Sequence, residues 1–174
     1  MNVKFSTYES ITSMNRPSLY ADPLAWAVVD FSASLLNKVP EESLENVGII
    51  VVSDYCSLAT MRALSATSKD GKISPLKFAG ANPGVVTGLT AIQYKLRGPS
   101  VTLTMNPANA SKAVTSVARY WFKHSGVHSV LVITHKKSTD LTDSDKLGGT
   151  LISDEQALDA GVISTVCQSG GDAQ

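Results

Sequence analysis

Charge is what this 174-residue sequence has least of. Asp, Glu, Lys and Arg make up only 17% of it, and its 15 basic residues cancel its 15 acidic ones. A soluble domain ordinarily carries about 25% charged residues. A neutral chain whose only adjacent basic pair is Lys136-Lys137 lacks the basic excess that phosphate backbones demand, which excludes nucleic acid as a main partner. Cysteine is nearly absent. Cys56 and Cys167 stand far apart, fit neither a short-spaced zinc site nor a disulfide framework, and are expected to be reduced thiols. Long apolar runs are missing too: none approaches the roughly 20 residues that span a bilayer. Met1 to Met14 alternates polar and apolar residues without the apolar core of a signal peptide. A cytoplasmic protein with no membrane association, no metal and no cofactor is expected. Its hydrophobic share is nevertheless an ordinary 43%, so part of the surface is expected to be covered by something other than water.

What is present is an alternation of strand and helix periods. Val3 to Ile11 alternates like a strand and is broken by Asn15-Arg16-Pro17-Ser18. Asp22-Pro23 offers an N-cap followed by proline at the first helical position, and Leu24, Ala27, Val28, Phe31 and Leu35 recur at helical steps up to Pro40. Val47 to Val52 is apolar on both faces, as a central strand covered by helices is. Ser57 or Asp54 opens a helix through Ala66, with a turn at Lys69 to Lys72. A loop from Ile73 carries Ser74-Pro75 and Asn82-Pro83-Gly84 and leads to a helix with Val85, Leu89, Ile92 and Leu96 in register. Val101 to Thr104 is a strand; Asn106-Pro107 starts a helix to His124 that buries Ala110, Ala113, Val114, Val117 and Trp121. Ser129 to Thr134 is an apolar strand, Lys136 to Lys146 a polar loop, and Leu151-Ile152 and Gly161 to Cys167 are expected as final strands. The order calls for one α/β layered domain, residues 1–168, with a mixed but largely parallel sheet and a disordered tail at 169–174.

Several chemistries fail on spacing. Gly148-Gly149 and Gly170-Gly171 do not join a strand to a helix as a phosphate-binding loop must. Ser57, Ser100 and Ser111 lie outside any Gly-x-Ser-x-Gly turn. Asp140, Asp143, Asp145 and Asp154 gather around Lys146 without a helically spaced histidine, which reads as a solvated loop. His124 and His128 at a helix end suit its dipole, and His135 ends a strand. Cys56, between a strand and a helix N-terminus, is the one thiol placed where a helix dipole would lower its pKa, although no general base stands near it in sequence.

The stretch Ile73-Ser74-Pro75, Phe78, Asn82-Pro83, Gly88, Ala91-Ile92, then Leu96-Arg97-Gly98-Pro99-Ser100-Val101-Thr102-Leu103 resembles the N-terminal half of a ketosynthase of the thiolase fold. The resemblance covers about Val47 to His135. It implies a layered α/β/α fold in which the strand after the Gly-Pro-Ser turn ends in a nucleophile elbow. A condensing ketosynthase would read Thr-Ala-Cys-Ser-Ser there. This sequence reads Thr104-Met105-Asn106-Pro107-Ala108-Asn109, so the nucleophile position falls on Pro107, which has no nucleophile. The two histidines that such enzymes take from the second half of the duplicated fold have no counterpart in a length sufficient for one half.

A ketosynthase-like chain without its cysteine is similar to the chain-length factors of type II polyketide synthases, and to the abbreviated partners of polyene and aryl-polyene pathways. That likeness implies no catalytic residue in this chain and a heterodimer with an active ketosynthase. It further implies an interface strand at Val101, Thr102, Leu103 and Thr104, and an acyl-tunnel gate at Phe78, Asn82, Val85 and Val86. An acyl carrier protein would be met through the complex, with Lys95, Arg97 and Lys112 the basic residues near the turn. The strand itself, β-branched and uncharged without Lys or Pro inside it, lacks the guards of an open edge. Two other readings stand beside this one: a stand-alone acyl-binding or acyl-transferring protein using Cys56, and a homodimer built on the same sheet edge.

Overall fold

The computed structural model describes residues 3–8, 11, 21–69, 71, 74–137, 144–155, 158 and 160–168. In chain order the elements are β1 (Val3–Tyr8), α1 (Pro23–Leu36), β2 (Val47–Ser53), α2 (Leu58–Ser68), α3 (Pro75–Gly80), α4 (Val85–Tyr94), β3 (Ser100–Leu103), α5 (Ser111–His124), β4 (Ser129–Lys137), β5 (Asp145–Ile152) and α6 (Ala160–Gln168). The strands form one sheet in the order β1-β5-β4-β2-β3. β2 pairs in parallel with β3 and β4, while β5 runs antiparallel to both β4 and β1. The expected mixed sheet is present, with its parallel part confined to the three strands β4-β2-β3.

Every residue of β2 is buried, because its two sets of side chains enter two different cores. Ile49 and Val51 face α1 and α4, together with Leu131, Ile133 and Leu147. Ile50 and Val52 face α5 and α6, with Val130, Val132 and Ile152. A helix–sheet–helix sandwich follows from this two-faced burial. α1 starts as expected: the Asp22 carboxylate accepts from the Leu24 amide at 2.9 Å, and Pro23 occupies the first helical position.

At the Leu96 to Ser100 turn the backbone of β2 comes within van der Waals reach of Gly98. A side-chain carbon there would lie 2.4 Å from the Val47 carbonyl oxygen, so only glycine fits.

Several expectations need correction. Gly161 to Cys167 is helix α6, not a strand: Ile163, Val166 and Cys167 are buried at helical spacing against the sheet, a period that the β-branched residues of this segment disguise. Leu151-Ile152 is the end of an eight-residue strand whose start, Asp145-Lys146, replaces the end of the expected loop; Lys136-Lys137 likewise belongs to β4. Ser74-Pro75 is not loop but the cap and first residue of α3, the Ser74 hydroxyl accepting from the Lys77 amide. In α4 the buried residues are Val86, Thr87 and Thr90, whereas Ile92 is 78% exposed. α5 buries Val114, Ala118 and Trp121, with Ala113 and Val117 on the shoulders of that face. The break at residues 15–18, the middle of the polar loop at 138–143 and the tail at 169–174 lie outside the described residues.

Candidate functional site

The last strand of the sheet is the first feature of the site. β3 pairs with β2 on one side, and among the described residues no strand pairs with its other side. The Ile49 amide donates to the Pro99 carbonyl at 3.0 Å, and Ile49 stands opposite Ser100. In a parallel ladder alternate residues turn their amides to the same neighbour. Val101 and Leu103 therefore point N–H groups at β2, and Ser100 and Thr102 point theirs outward. The side chains of Val101, Leu103 and Met105 pack against the second core, while the Thr102 hydroxyl meets the Thr87 hydroxyl of α4 at 3.2 Å on the other face. The strand runs one residue earlier than expected, so Thr104 follows it rather than closing it.

β3 leads into Asn106-Pro107. The Asn106 side chain accepts from the Ala108 amide at 3.0 Å, and Pro107 is buried. What they open is a three-residue 3-10 turn, Pro107–Asn109, and α5 begins only at Ser111. The helix start is thus four residues beyond the one expected from the Asn-Pro pair.

An apolar groove of about 610 Å³ lies between α2 and α3, walled by Met61, Leu64, Phe78, Ala81 and Pro83, with Ser65, Ser68 and Asn82 also lining it. Phe78 is 68% exposed, and α2 buries no residue at all. Of the four expected gate residues, Phe78 and Asn82 line this groove. Val85 packs against the first core and Val86 is fully buried in it; a side chain committed to the core has no surface left for a ligand, so Val86 leaves the gate. Two pins hold α2. The Asp22 carboxylate accepts from the Thr60 amide at 3.0 Å and from its hydroxyl at 2.8 Å, and the Ser57 hydroxyl donates to the Ala81 carbonyl instead of capping α2.

A third feature escaped sequence reasoning. His135 is fully buried at the end of β4, level with Ser53 on β2. Its Nδ1 lies 2.8 Å from the Ser53 hydroxyl and its Nε2 lies 2.8 Å from Asp145 Oδ1. Asp145, expected in a solvated loop, is only 2% exposed and also accepts from the Ile11 amide at 3.2 Å. Burial alone would raise its carboxyl, but the hydrogen bonds from His135 and Ile11, with Lys137 nearby, hold it below the ordinary carboxylate range. The other two histidines are exposed, His124 stacking on Tyr120 in the last turn of α5.

Cys56 stands beside this cluster, and its placement removes the nucleophile reading. It is 7% exposed, its thiol donates to the Ser53 carbonyl at 3.0 Å, and burial pushes the thiol up to about 11. The Ser53 hydrogen bond opposes that rise, and Asp22 and Asp54 add to it. A thiol so held is protonated at neutral pH and is no nucleophile. Cys167 is buried and raised to about 11 as well. Lys95 and Arg97 are exposed beside Glu41 and Glu45, at 3.8 and 3.3 Å, and Lys112 is exposed on α5.

Among the described residues no helix is long and apolar enough to cross a membrane, and no cluster of histidine, cysteine and carboxylates is arranged to hold a metal.

No family model and no curated protein matches the sequence. Solved structures do match. The ishigamide ketosynthase/chain length factor aligns with a TM-score of 0.63 and 18% identity over 79% of this chain and 45% of that one. A ketosynthase (ApeO) in complex with its chain length factor (ApeC) from Xenorhabdus doucetiae aligns with a TM-score of 0.60 and 16% identity, over 77% of this chain and 58% of that one. A type II acyl-carrier protein complex with its ketosynthase bound to the hexaketide gives 0.53 and 13%, over 78% of this chain and 47% of that one. The chain spans about half the length of each. At these identities the likeness is one of architecture, and it establishes that the chain carries the thiolase-like ketosynthase fold.

Proposed function

We propose that this chain is a non-catalytic, chain-length-factor-like subunit that pairs with an active ketosynthase through the outer edge of β3, stabilises it and helps shape its acyl tunnel in polyketide or fatty-acid-type polyene synthesis. The observation that carries the reading is the pair of features on one strand. β3 presents outward amides at Ser100 and Thr102 that no strand among the described residues pairs, and the segment it leads into has Asn106-Pro107 where a ketosynthase of this fold would need a thiol. An uncharged edge with free donors and acceptors recruits another strand. The domain, residues 1–168, then supplies scaffold and the partner supplies the cysteine. An acyl carrier protein reaches the chain through that complex.

In this reading the groove between α2 and α3 meets the acyl chain. Phe78 and Asn82 are its gate, joined by Met61 and Leu64, which sequence spacing did not single out. The action is steric, since a packed apolar site discriminates between chains that differ by a single methylene by about 1–3 kcal/mol.

Co-expression with an active type II ketosynthase tests the reading. Thr102→Pro removes an outward N–H without touching the β2 ladder, which is where an edge strand accepts proline. Thr102→Val removes only the contact with Thr87. The expected result is co-purification with wild type and with Thr102→Val, and none with Thr102→Pro. A complex that survives Thr102→Pro, or a chain that is monomeric and turns over an acyl thioester alone, overturns it.

A further inference from the structure

Hydrogen-bond counting assigns the protons of the buried Ser53–His135–Asp145 chain. The Ser53 hydroxyl oxygen accepts from the Tyr55 amide at 3.1 Å and from the Cys56 amide at 2.9 Å. A hydroxyl has two acceptor sites and one hydrogen. Both sites are taken, so the hydrogen goes to His135 Nδ1, which must be an unprotonated acceptor. The remaining ring proton sits on Nε2 and is donated to Asp145. His135 in this arrangement is neutral, with one tautomer only.

The chain ties together parts that are otherwise loosely joined. Ser53 closes the turn between β2 and α2, where Cys56 is held at φ +39°, a left-handed conformation that costs a residue with a side chain about 1–2 kcal/mol. α2 starts two residues later, buries nothing and forms one wall of the apolar groove. Asp145 at the other end holds Ile11 through its amide.

We propose that Ser53, His135 and Asp145 form a proton-controlled latch: neutral His135 locks the β2–α2 turn to β4 and β5, and protonation of its Nδ1 loosens that turn, leaving the α2 wall of the groove held only by the Asp22–Thr60 and Ser57–Ala81 bonds. Once Nδ1 carries a proton, Ser53 must accept from it and give up the amide of Tyr55 or Cys56. The strained Cys56 is then held by one bond fewer, with its thiol still on the Ser53 carbonyl and the Leu58 amide on the Tyr55 carbonyl. Among the described residues, the charged and titratable groups along the latch are Asp145 on β5, bonded to His135 and acted on by Lys137 of β4, and Cys56 in the turn, acted on by Asp54 beside it and by Asp22 at the start of α1. Tyr8 on β1 stands opposite Asp145, with Asp30 of α1 acting on it.

The inference does not depend on a ketosynthase partner, and it is read on the chain's own nuclei. Imidazole nitrogen–proton spectra of the labelled full chain, alone or in whatever complex it purifies with, identify the tautomer directly. Amide exchange, corrected for the intrinsic effect of pH, is followed at Tyr55 and Cys56 from about pH 8 to about pH 5, where imidazoles ordinarily titrate. The expected result is a His135 proton on Nε2 alone at the upper pH. A rise of about tenfold in exchange at the one of these two amides that Ser53 gives up should share the midpoint of His135, as the loss of one buried hydrogen bond predicts. In Ser53→Ala the two amides exchange fast at every pH. A proton on Nδ1 at the upper pH overturns the latch. So does protection at Tyr55 and Cys56 that persists while His135 titrates, or a His135 that stays neutral until the chain unfolds.

Discussion

Adding one methyl group at Gly98 should do as much damage as many core truncations. A Cβ there would stand 2.4 Å from the Val47 carbonyl oxygen, 2.6 Å from its carbon and 2.7 Å from the Gly48 nitrogen, where ordinary contacts are 3.4–4 Å. All three atoms are backbone of β2, which is held by β3 on one side and β4 on the other. Gly48 has no room to retreat either, since Trp121 and the Pro99 carbonyl close in on it. The turn at Leu96 to Ser100 must therefore lift by about 1 Å. Overpacking of this kind costs about 1–3 kcal/mol, and the bond from the Ile49 amide to Pro99 adds about 1 kcal/mol. Gly98→Ala is expected to lose about 2–4 kcal/mol, a large part of the 5–15 kcal/mol typical of a domain. Gly88 is the control: a Cβ there meets nothing within 4 Å, and alanine in a helix interior should gain about 0.5–1 kcal/mol. Urea unfolding followed by tryptophan fluorescence measures both. A Gly98→Ala midpoint within about 0.5 kcal/mol of wild type, at unchanged slope, refutes the close-approach argument.

Four further outcomes follow from the structure. Cys56 and Cys167, each pushed up to about 11 from 9.0, should react with iodoacetamide about 100-fold more slowly in the folded chain than in urea, because each pH unit is a factor of ten in thiolate. These thiols ionise near pH 9 when unfolded but only near 11 when folded, so their contribution is intact below pH 9 and is lost as the pH rises through that window; a stability flat across it contradicts their burial. Asp22→Ala removes the α1 cap and both Thr60 bonds and should cost about 2–3 kcal/mol in urea unfolding, whereas a cost below about 0.5 kcal/mol denies the pin on α2. In a complex with an active ketosynthase, Asn82→Trp should shorten and Phe78→Ala lengthen the released acyl chains by mass spectrometry, and product lengths unchanged in both remove the groove from the tunnel.

The parts of the fold that could be read beforehand are those in which one short stretch decides its own structure. Asp22-Pro23 caps α1 whatever surrounds it, and the doubly apolar Val47 to Val52 can lie nowhere but the middle of a covered sheet. Ser74-Pro75 holds the same kind of information, as the cap and first residue of α3, but the six helical residues after it make too weak a period to show a helix. α6 was missed because Val162, Ile163 and Val166 favour strands in isolation, and only packing against β4 and β5 selects the helix. The Ser53–His135–Asp145 chain left no local trace. Its three residues sit on three strands, and only the sheet registers, which set Ser53 opposite His135 and Asp145 two residues farther along, opposite Lys137, bring them together. Val86 and Ile92 show the remaining limit: a helix's apolar stripe gives its face to within about one residue, and the neighbours of α4 choose which edge of the stripe is buried.

The claim at the centre of this account is that the outer edge of β3 pairs with a strand of a ketosynthase, and two amides report on it. Residue-resolved hydrogen exchange on the labelled chain, before and after addition of an active type II ketosynthase, compares Ser100 and Thr102, which face outward, with Val101 and Leu103, which already bond to β2. The account predicts that Ser100 and Thr102 exchange freely in the chain alone and become protected in the complex, while Val101 and Leu103 are protected in both. A complex that forms with Ser100 and Thr102 still exchanging freely, or strong protection of both in a monomeric chain, contradicts it.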